Sequence, residues 1–105
     1  MRLVLCNCAP KDAQNIARHL VEHRLAACVN ILPGVRSVYR WQGELCEDEE
    51  TTLLIKTRQE RLEALQEALV EIHPYDVPEI IALPIKEGHA PYLQWVIEQT
   101  TDPTP

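Results

Sequence analysis

The segment AACVNILPGVRSVYRW, residues 26–41, dominates the shape that the sequence predicts for this chain. Its first part has the composition of a strand, Pro33 and Gly34 interrupt it, and alternate residues then share one face: Val35, Ser37, Tyr39 and Trp41. At about 3.3 Å per residue this arm would span roughly 50 Å, well beyond the core of so small a domain. Gln42 and Gly43 then reverse the chain, so we expect a long hairpin that projects outward.

Together with the first arm of this hairpin, the other periodic segments predict the order strand, helix, strand, strand, helix, strand, followed by one short helix. The other segments are strand 3–5, helix 13–21, a returning strand 44–55, a helix that ends at His73, strand 80–85 and a short helix opened by Pro91. Thr57 and Glu60 match a capping box at the start of the second helix. The order corresponds to the split βαβ motif of ferredoxin-like folds. We therefore predict an α+β, ferredoxin-like βαββαβ sandwich with a long projecting hairpin and a short C-terminal helix. Residues 1–99 would form a single domain and residues 100–105 a flexible tail.

The composition describes one small acidic domain. With 105 residues, 46% of them hydrophobic, the chain has enough apolar side chains for a single core. The formal net charge is −6, whereas proteins that bind nucleic acids usually carry an excess of basic residues, so we expect no nucleic-acid partner. No segment reaches about 18 apolar residues and the start lacks a signal-peptide pattern, so we expect a cytoplasmic protein with no membrane partner. Its four cysteines show no CxxC spacing and are expected to be reduced thiols.

The projecting hairpin also predicts self-association. In a lone subunit its edge would be unpaired and its apolar side chains exposed: Val35, Val38, Tyr39 and Trp41. Pairing of each hairpin with the sheet of the next copy would cover them in a head-to-tail contact that closes as a ring. We therefore expect a homotrimer, the simplest such ring.

A second informative segment is HPYDVPE, residues 73–79. Pro74 ends the helix before it and Pro78 sets the entry into the next strand, so the backbone between them is rigid. An imidazole at this junction is held in one place, as a metal ligand needs to be. A helix end whose last carbonyls need capping would use the same arrangement, and this structural role is the favoured interpretation of His73.

Several short motifs occur in a characteristic order along the chain. They are LAACVNI at 25–31, Ser37, Tyr39, Trp41 and Gly43 at alternate positions, Glu50, Lys56-Thr57, His73-Pro74-Tyr75, Pro78-Glu79-Ile80, and Tyr92 with Trp95. In this order they resemble the CutA family of divalent-cation tolerance proteins, and the resemblance extends from Leu3 to Trp95. It implies a ferredoxin-like subunit in a tight trimer, similar in architecture to the PII signalling trimers. It also implies a link to copper or other divalent-metal tolerance, with no established catalytic activity.

The resemblance points to His73 and to a cysteine near the end of the first strand as metal ligands. Cys6 and Cys8 flank Asn7, so either thiol, or neither, occupies that place in this chain. Both point to the same face if the strand continues, and two sulfurs with one imidazole would suit copper as Cu(I) better than Mg²⁺ or Ca²⁺. The competing interpretation, which is favoured for free cysteines, is that both are small buried hydrophobic residues.

Five residues are candidates for lining a cleft between subunits: Tyr39, Trp41, Tyr75, Glu79 and Trp95. Such a cleft could hold a small ligand, although large aromatic side chains at an oligomer interface more often act as packing anchors. The acidic run Glu47–Glu50 lacks the glycines and the ligand spacing of a calcium loop. We interpret it as part of an exposed arm whose charges pair across strands.

Two further patterns are weaker. His19 and His23 stand four residues apart on the first helix, a spacing that can chelate a metal, but no third ligand is nearby in the sequence. We interpret the pair as part of a solvated helix face. The chain contains no GxSxG elbow and no phosphate-binding glycine loop, so we expect no catalytic activity.

Two functions from different classes follow from these patterns. In the first, the trimer is a metal-responsive protein that holds a soft transition metal, with copper as the implied cofactor, through His73 and the first-strand thiols. In the second, it is a PII-like sensor or scaffold that binds a small metabolite or a protein partner in clefts between subunits.

Overall fold

In residues 1–101, which the computed structural model describes, the chain forms four strands and three α-helices. The strands are β1 (Arg2–Cys8), β2 (Cys28–Trp41), β3 (Glu44–Thr57) and β4 (Ile81–Pro84), and the helices are α1 (Ala13–Glu22), α2 (Gln59–Ile72) and α3 (Ala90–Gln99). A short 3₁₀ turn, Pro10–Asp12, leads into α1. The sheet is antiparallel, with the strand order β2-β3-β1-β4. The predicted α+β class and βαββαβ order are confirmed, with α3 as the additional helix.

The core lies between one face of the sheet and the helices α1 and α2. Alternate residues of β1 are buried, as the period of a strand requires, and Val4 stands opposite Ile55 of β3 and Ala82 of β4. The largest side chains that are fully buried in this layer are Val4, Leu20, Leu53, Ile55, Leu65 and Leu69. Burial of each such side chain contributes about 1.5–3 kcal/mol to stability.

Helix α2 begins differently from the prediction. Its N-cap residue is Arg58, and no side chain caps its first turn. The hydroxyl of Thr57 instead donates a hydrogen bond to the carbonyl oxygen of Leu25 at 2.7 Å. The capping box predicted from Thr57 and Glu60 is therefore wrong, because a buried partner distant in the sequence takes the hydroxyl.

The β2–β3 hairpin is the longest feature of the subunit. Each strand has 14 residues, and the pairing runs from Cys28 opposite Lys56 to Trp41 opposite Glu44. The subunit measures 49 × 27 × 20 Å along its principal axes. Apolar side chains near the tip face solvent, with Leu45 72% exposed. The predicted projecting hairpin is therefore present in the single subunit.

Two glycines shape this hairpin. Gly34, at φ 78°, lies where the register shifts between Leu32 and Val35, so the predicted interruption is an irregularity inside one strand. Gly43, at φ 80°, follows Gln42 at φ 50° in the tip. Two successive residues with positive φ form the mirror-image turn whose twist suits a two-residue hairpin.

The end of the described chain packs against the domain. Thr100 follows α3, is fully buried, and donates a hydrogen bond from its hydroxyl to the carbonyl oxygen of Val96 at 2.7 Å. Of the tail predicted over 100–105, residues 102–105 lie outside the described residues. None of the helices in residues 1–101 is long and apolar enough to cross a membrane.

Candidate functional site

The segment HPYDVPE follows the C-terminal end of α2 and brings His73 against β1. Helix α2 stops at Ile72, and His73 is its C-cap residue with an extended backbone, as the following proline predicts. The side chain is only 5% exposed. Its ring therefore sits inside the fold and needs hydrogen-bond partners there.

Both nitrogens of the His73 ring have such partners. The Nε2 atom is 2.9 Å from the backbone oxygen of Asn7, and the Nδ1 atom is 3.2 Å from the backbone nitrogen of Tyr75. A carbonyl can only accept and a backbone N–H can only donate, so the proton is on Nε2 and Nδ1 is the acceptor. This neutral imidazole joins the end of α2, the end of β1 and the turn after it.

A cleft of about 680 Å³ opens between the hairpin and this turn. It is lined by Asn7, Ser37, Val38, Tyr39, Trp41, Glu50, Pro74, Tyr75, Asp76, Val77 and Glu79. The volume is that of a site for a small molecule. Aromatic rings and carboxylates line the cleft, and the lining includes no lysine or arginine.

The carboxylates of the cleft are close enough to influence one another. Glu50 is only 8% exposed, and its Oε2 atom accepts a hydrogen bond from the Tyr75 hydroxyl at 2.9 Å. Burial and this hydrogen bond raise the pKa of Tyr75. Partial burial, and then the charge of Glu50, raise the pKa of Glu79 above its usual 4.5. On the hairpin side of the cleft, the Tyr39 hydroxyl donates a hydrogen bond to the carboxylate of Asp48.

Cys6 and Cys8 lie in the core, on the side of β1 that faces the helices, and both are fully buried. Burial raises the pKa of the Cys6 thiol to about 12, and the electrostatic effect of Cys8 is the next cause. Burial likewise raises the pKa of Cys8 to about 11, and the negative charge of Asp12 is the next cause. Both thiols therefore hold their protons more firmly than an exposed cysteine does, and a metal would have to displace those protons to bind.

These features test whether the predicted copper ligands fit a metal. His73 has no free ring nitrogen, the two thiols carry protons, and residues 1–101 contain no group of three His, Cys, Asp or Glu side chains that could hold a metal ion. The three side chains as placed do not fit copper. A copper site at His73, Cys6 and Cys8 stays a prediction.

The structure brings together four of the five residues predicted to line a cleft. Tyr39, Trp41, Tyr75 and Glu79 all line it, whereas Trp95 lies on α3 against Tyr92, with the ring centroids 5.6 Å apart. Whether the cleft lies between subunits stays a prediction.

Glu50 and Asn7 line this cleft but were not among the residues predicted for it. Glu50 was noted among the motifs of the CutA resemblance and at the end of an acidic run, and it is the most buried acid of that run. The one available signal was its position beside Thr51, where the returning strand enters the core. Asn7 gives no such signal, because its backbone oxygen is what binds His73.

Comparisons with known proteins identify the family. The family model described as CutA1 divalent ion tolerance protein matches residues 2–99. The chain belongs to the CutA1 family. The divalent-cation tolerance protein CutA of Thermus thermophilus is 57% identical over 84% of this chain and 85% of that protein. The human protein CutA is 49% identical over 86% of this chain.

Coverage differs among these CutA relatives. The match spans 59% of the CutA homolog of Xenopus laevis, which is 54% identical, and 50% of the human protein. The match therefore spans little more than half the length of these two proteins.

Solved structures of CutA proteins have the same fold. The divalent cation tolerance protein from Thermus thermophilus superposes with a TM-score of 0.92 at 51% identity, covering 96% of this chain and 100% of that one. The PII-like protein CutA from Nostoc sp. PCC 7120, in apo form, has a TM-score of 0.92 at 36% identity, with 96% and 98% covered. The names of these relatives refer to divalent-cation tolerance or to PII likeness, and none of them names an enzymatic activity.

Proposed function

We propose that this protein is a non-enzymatic homotrimer that contributes to divalent-cation tolerance as a PII-like sensor, with a small organic cation as the ligand of its cleft. One observation carries the proposal: the cleft combines the buried Glu50 carboxylate with aromatic walls and has no basic side chain in its lining. The family name and the PII-like relative support the broader role.

Charge selects the class of ligand. Glu50 and Glu79 repel each other, and a cation placed between them would relieve that repulsion and favour the ionised form of Glu79. The rings of Tyr39, Trp41 and Tyr75 can attract a cation through their faces. A nucleotide or another polyanion would meet carboxylates with nothing to neutralise them, so the site disfavours such ligands.

Size favours an organic cation over a bare metal ion. A metal would need several oxygens converging at one point, whereas the described residues contain no group of three such side chains suited to a metal. A volume of about 680 Å³ suits an ammonium compound whose apolar part contacts the aromatic walls.

The trimer is proposed from the surfaces that one subunit leaves uncovered. The sheet face opposite the helices carries apolar side chains in register across three strands; we call Leu3, Leu5, Leu54, Ile81 and Leu83 the open sheet face. Ile81 is 49% exposed there. In addition, β2 is an edge strand of 14 residues with one side unpaired. A long edge next to an apolar face is what neighbouring copies would cover, and Trp95 would contribute to a cleft from such a neighbour.

The ligand class can be tested by calorimetric titration with choline, Mn²⁺ and ATP as separate probes. We expect choline to bind and the other two to show no binding in the cleft. Glu50→Gln removes the charge but keeps a hydrogen-bond acceptor, and it should weaken choline binding at least about tenfold. Glu63→Gln, on α2, makes the same change in net charge away from the cleft and should bind as the wild type does.

Two results would contradict this ligand class. One is equal choline affinity in Glu50→Gln and wild-type protein. The other is binding of ATP that competes for the cleft, since the lining has no cation to hold phosphates.

A copper site at His73, Cys6 and Cys8 is the second proposal, and its one support is a family name that refers to divalent ions without naming copper. It would require His73 to give up one of two hydrogen bonds and the thiols to lose protons. Uptake of one Cu(I) per reduced subunit that is lost in His73→Ala would support it. Uptake that is unchanged by His73→Ala would exclude it.

We also propose that the protein works in the cytoplasm, since all four cysteines are free thiols, as a reducing compartment maintains them. The plant relatives are named chloroplastic, so cell fractionation is the direct test.

A further inference from the structure

Two histidines on α1 form a pair that the cleft does not use. His19 lies in the last turn of the helix and His23 is its C-cap residue, four positions further on. Their rings are stacked, with centroids 4.1 Å apart and planes inclined by 30°. Residues four apart on a helix share one face, so both imidazoles project from the same side of α1.

A hydrogen bond determines how His23 presents its ring. Its Nδ1 atom lies 2.9 Å from the backbone oxygen of His19. A carbonyl only accepts, so Nδ1 carries the proton and Nε2 keeps its lone pair. A backbone oxygen that orients a histidine in this way is the usual outer partner of a metal-binding imidazole.

The second ring also has free nitrogens. In the described part of the chain no side chain or backbone group forms a hydrogen bond with the ring of His19, whereas His73 uses both of its nitrogens. His23 is exposed and His19 partly so, hence an ion can reach both. His19 and His23 thus offer accessible ring nitrogens without hydrogen-bond partners, whereas His73 is buried and both of its ring nitrogens are occupied.

We propose that His19 and His23 chelate a divalent transition-metal ion, Cu²⁺ most strongly and then Ni²⁺ or Zn²⁺, through one nitrogen of each ring. An imidazole nitrogen binds a metal in the plane of its ring, so the two stacked rings would turn about their side-chain bonds to bring one nitrogen of each to the same ion. Imidazole prefers these ions to Mg²⁺ or Ca²⁺. Water completes the coordination. The site is separate from the cleft, which is lined by β1, the hairpin and residues 74–79.

Glu22 does not convert this pair into a hydrolytic centre. The run His19-Leu20-Val21-Glu22-His23 has the H-x-x-E-H spacing that some zinc enzymes use for two ligands and a base. Here the Glu22 carboxylate is 3.6 Å from Arg18, and residues 1–101 hold no group of three side chains suited to a metal. The pair therefore offers two imidazoles to a metal ion, with no third side chain for bond cleavage.

The test is titration with Cu²⁺, using electron paramagnetic resonance to count coordinated nitrogens. The protein should carry Cys28→Ser and Cys46→Ser, because these two thiols are not fully buried and could bind or reduce copper. We expect one Cu²⁺ per subunit with a signal from two imidazole nitrogens. His19→Gln and His23→Gln should each reduce the count by one and weaken binding at least about tenfold.

His89→Gln is the matched control, since it removes a surface histidine outside the pair and should leave the signal unchanged. The proposal fails if either His19→Gln or His23→Gln binds Cu²⁺ as the parent does, or if the bound ion shows fewer than two imidazole nitrogens. Choline titration of the same variants reports on the cleft separately, so failure at the histidine pair leaves the proposed function untouched.

Discussion

The imidazole of His73 has a structural role that requires no ligand. It donates to Asn7 and accepts from Tyr75, so a single buried side chain connects α2, β1 and the turn that forms one wall of the cleft. A buried donor and acceptor left without partners cost more than the hydrogen bond itself contributes. This cost explains why the residue is buried at a helix end.

We expect His73→Ala to lower the free energy of unfolding by about 1–3 kcal/mol in metal-free buffer, because Asn7 and Tyr75 lose their partner. Urea denaturation at one fixed protein concentration measures this change. Tyr75→Phe removes only the hydrogen bond to Glu50 and should cost about 1 kcal/mol. A His73→Ala protein that is as stable as wild type in the presence of a chelator would contradict the structural role.

Glu79 gives a prediction about pH, because its pKa is raised in the folded state. As pH rises above about 4.5, the unfolded chain releases this proton first while the folded one retains it, so stability falls with rising pH. Above the raised pKa the loss is complete. Glu79→Gln stays neutral and should therefore be more stable than wild type at pH 7, by less than about 1 kcal/mol since solvent screens the side chain, with no gain at pH 4.

Denaturation of both proteins across this pH range provides the measurement. The gain should shrink when Glu50→Gln is already present, since the like charge beside Glu79 is then gone. A gain that is the same at pH 4 and pH 7 would mean that the effect has another cause.

At the scale of elements, the hairpin depends on its two-residue turn. Gln42 and Gly43 both have positive φ, a region that residues with a side chain adopt at a cost. A Cβ atom added at Gly43 would have no neighbour within 4 Å, so substitution there tests backbone conformation alone.

We expect Gly43→Ala to lower the free energy of unfolding by about 1–2 kcal/mol, since alanine disfavours the left-handed region. Gln42→Asn should instead raise the free energy of unfolding, by roughly 0.3 kcal/mol, because asparagine tolerates that region better. Chemical denaturation of the two variants measures both effects. If Gly43→Ala proves neutral, the turn does not adopt the described conformation in solution.

The elements show how far sequence reasoning reached. The periodicity around residues 35–41 and the proline at 74 predicted the hairpin and the end of α2, because both depend on neighbours in the chain. Thr57 was wrongly assigned because its hydroxyl partner, Leu25, is 32 residues away. Glu50 was not predicted for the cleft for the same reason, since its partner Tyr75 follows 25 residues later.

At the scale of the whole molecule, the subunit has two unlike surfaces. The helices cover one face of the sheet, while the open sheet face leaves Ile81 49% and Leu83 42% exposed in register with Leu5 and Leu3. Patches of this kind on a soluble protein usually mark an interface.

We expect Ile81→Lys to shift the proposed trimer towards monomer, because a charge placed in a packed interface loses its hydration. Analytical ultracentrifugation at micromolar concentration measures the change. Val70→Lys introduces the same charge at a residue of α2 that is 60% exposed, and it should sediment as the wild type does. A wild-type protein that sediments as a monomer would overturn the assembly itself.

The long pairing of β2 with β3 has a kinetic consequence. The two strands are joined by only two residues, so little chain entropy is lost when they zip together, and this ribbon should form early in folding. In the proposed trimer, packing of the helices is followed by association of separate chains, whose rate depends on protein concentration. Refolding should therefore slow down on dilution. In the cell, the rate at which a newly made chain reaches its folded state would depend on the local concentration of identical chains.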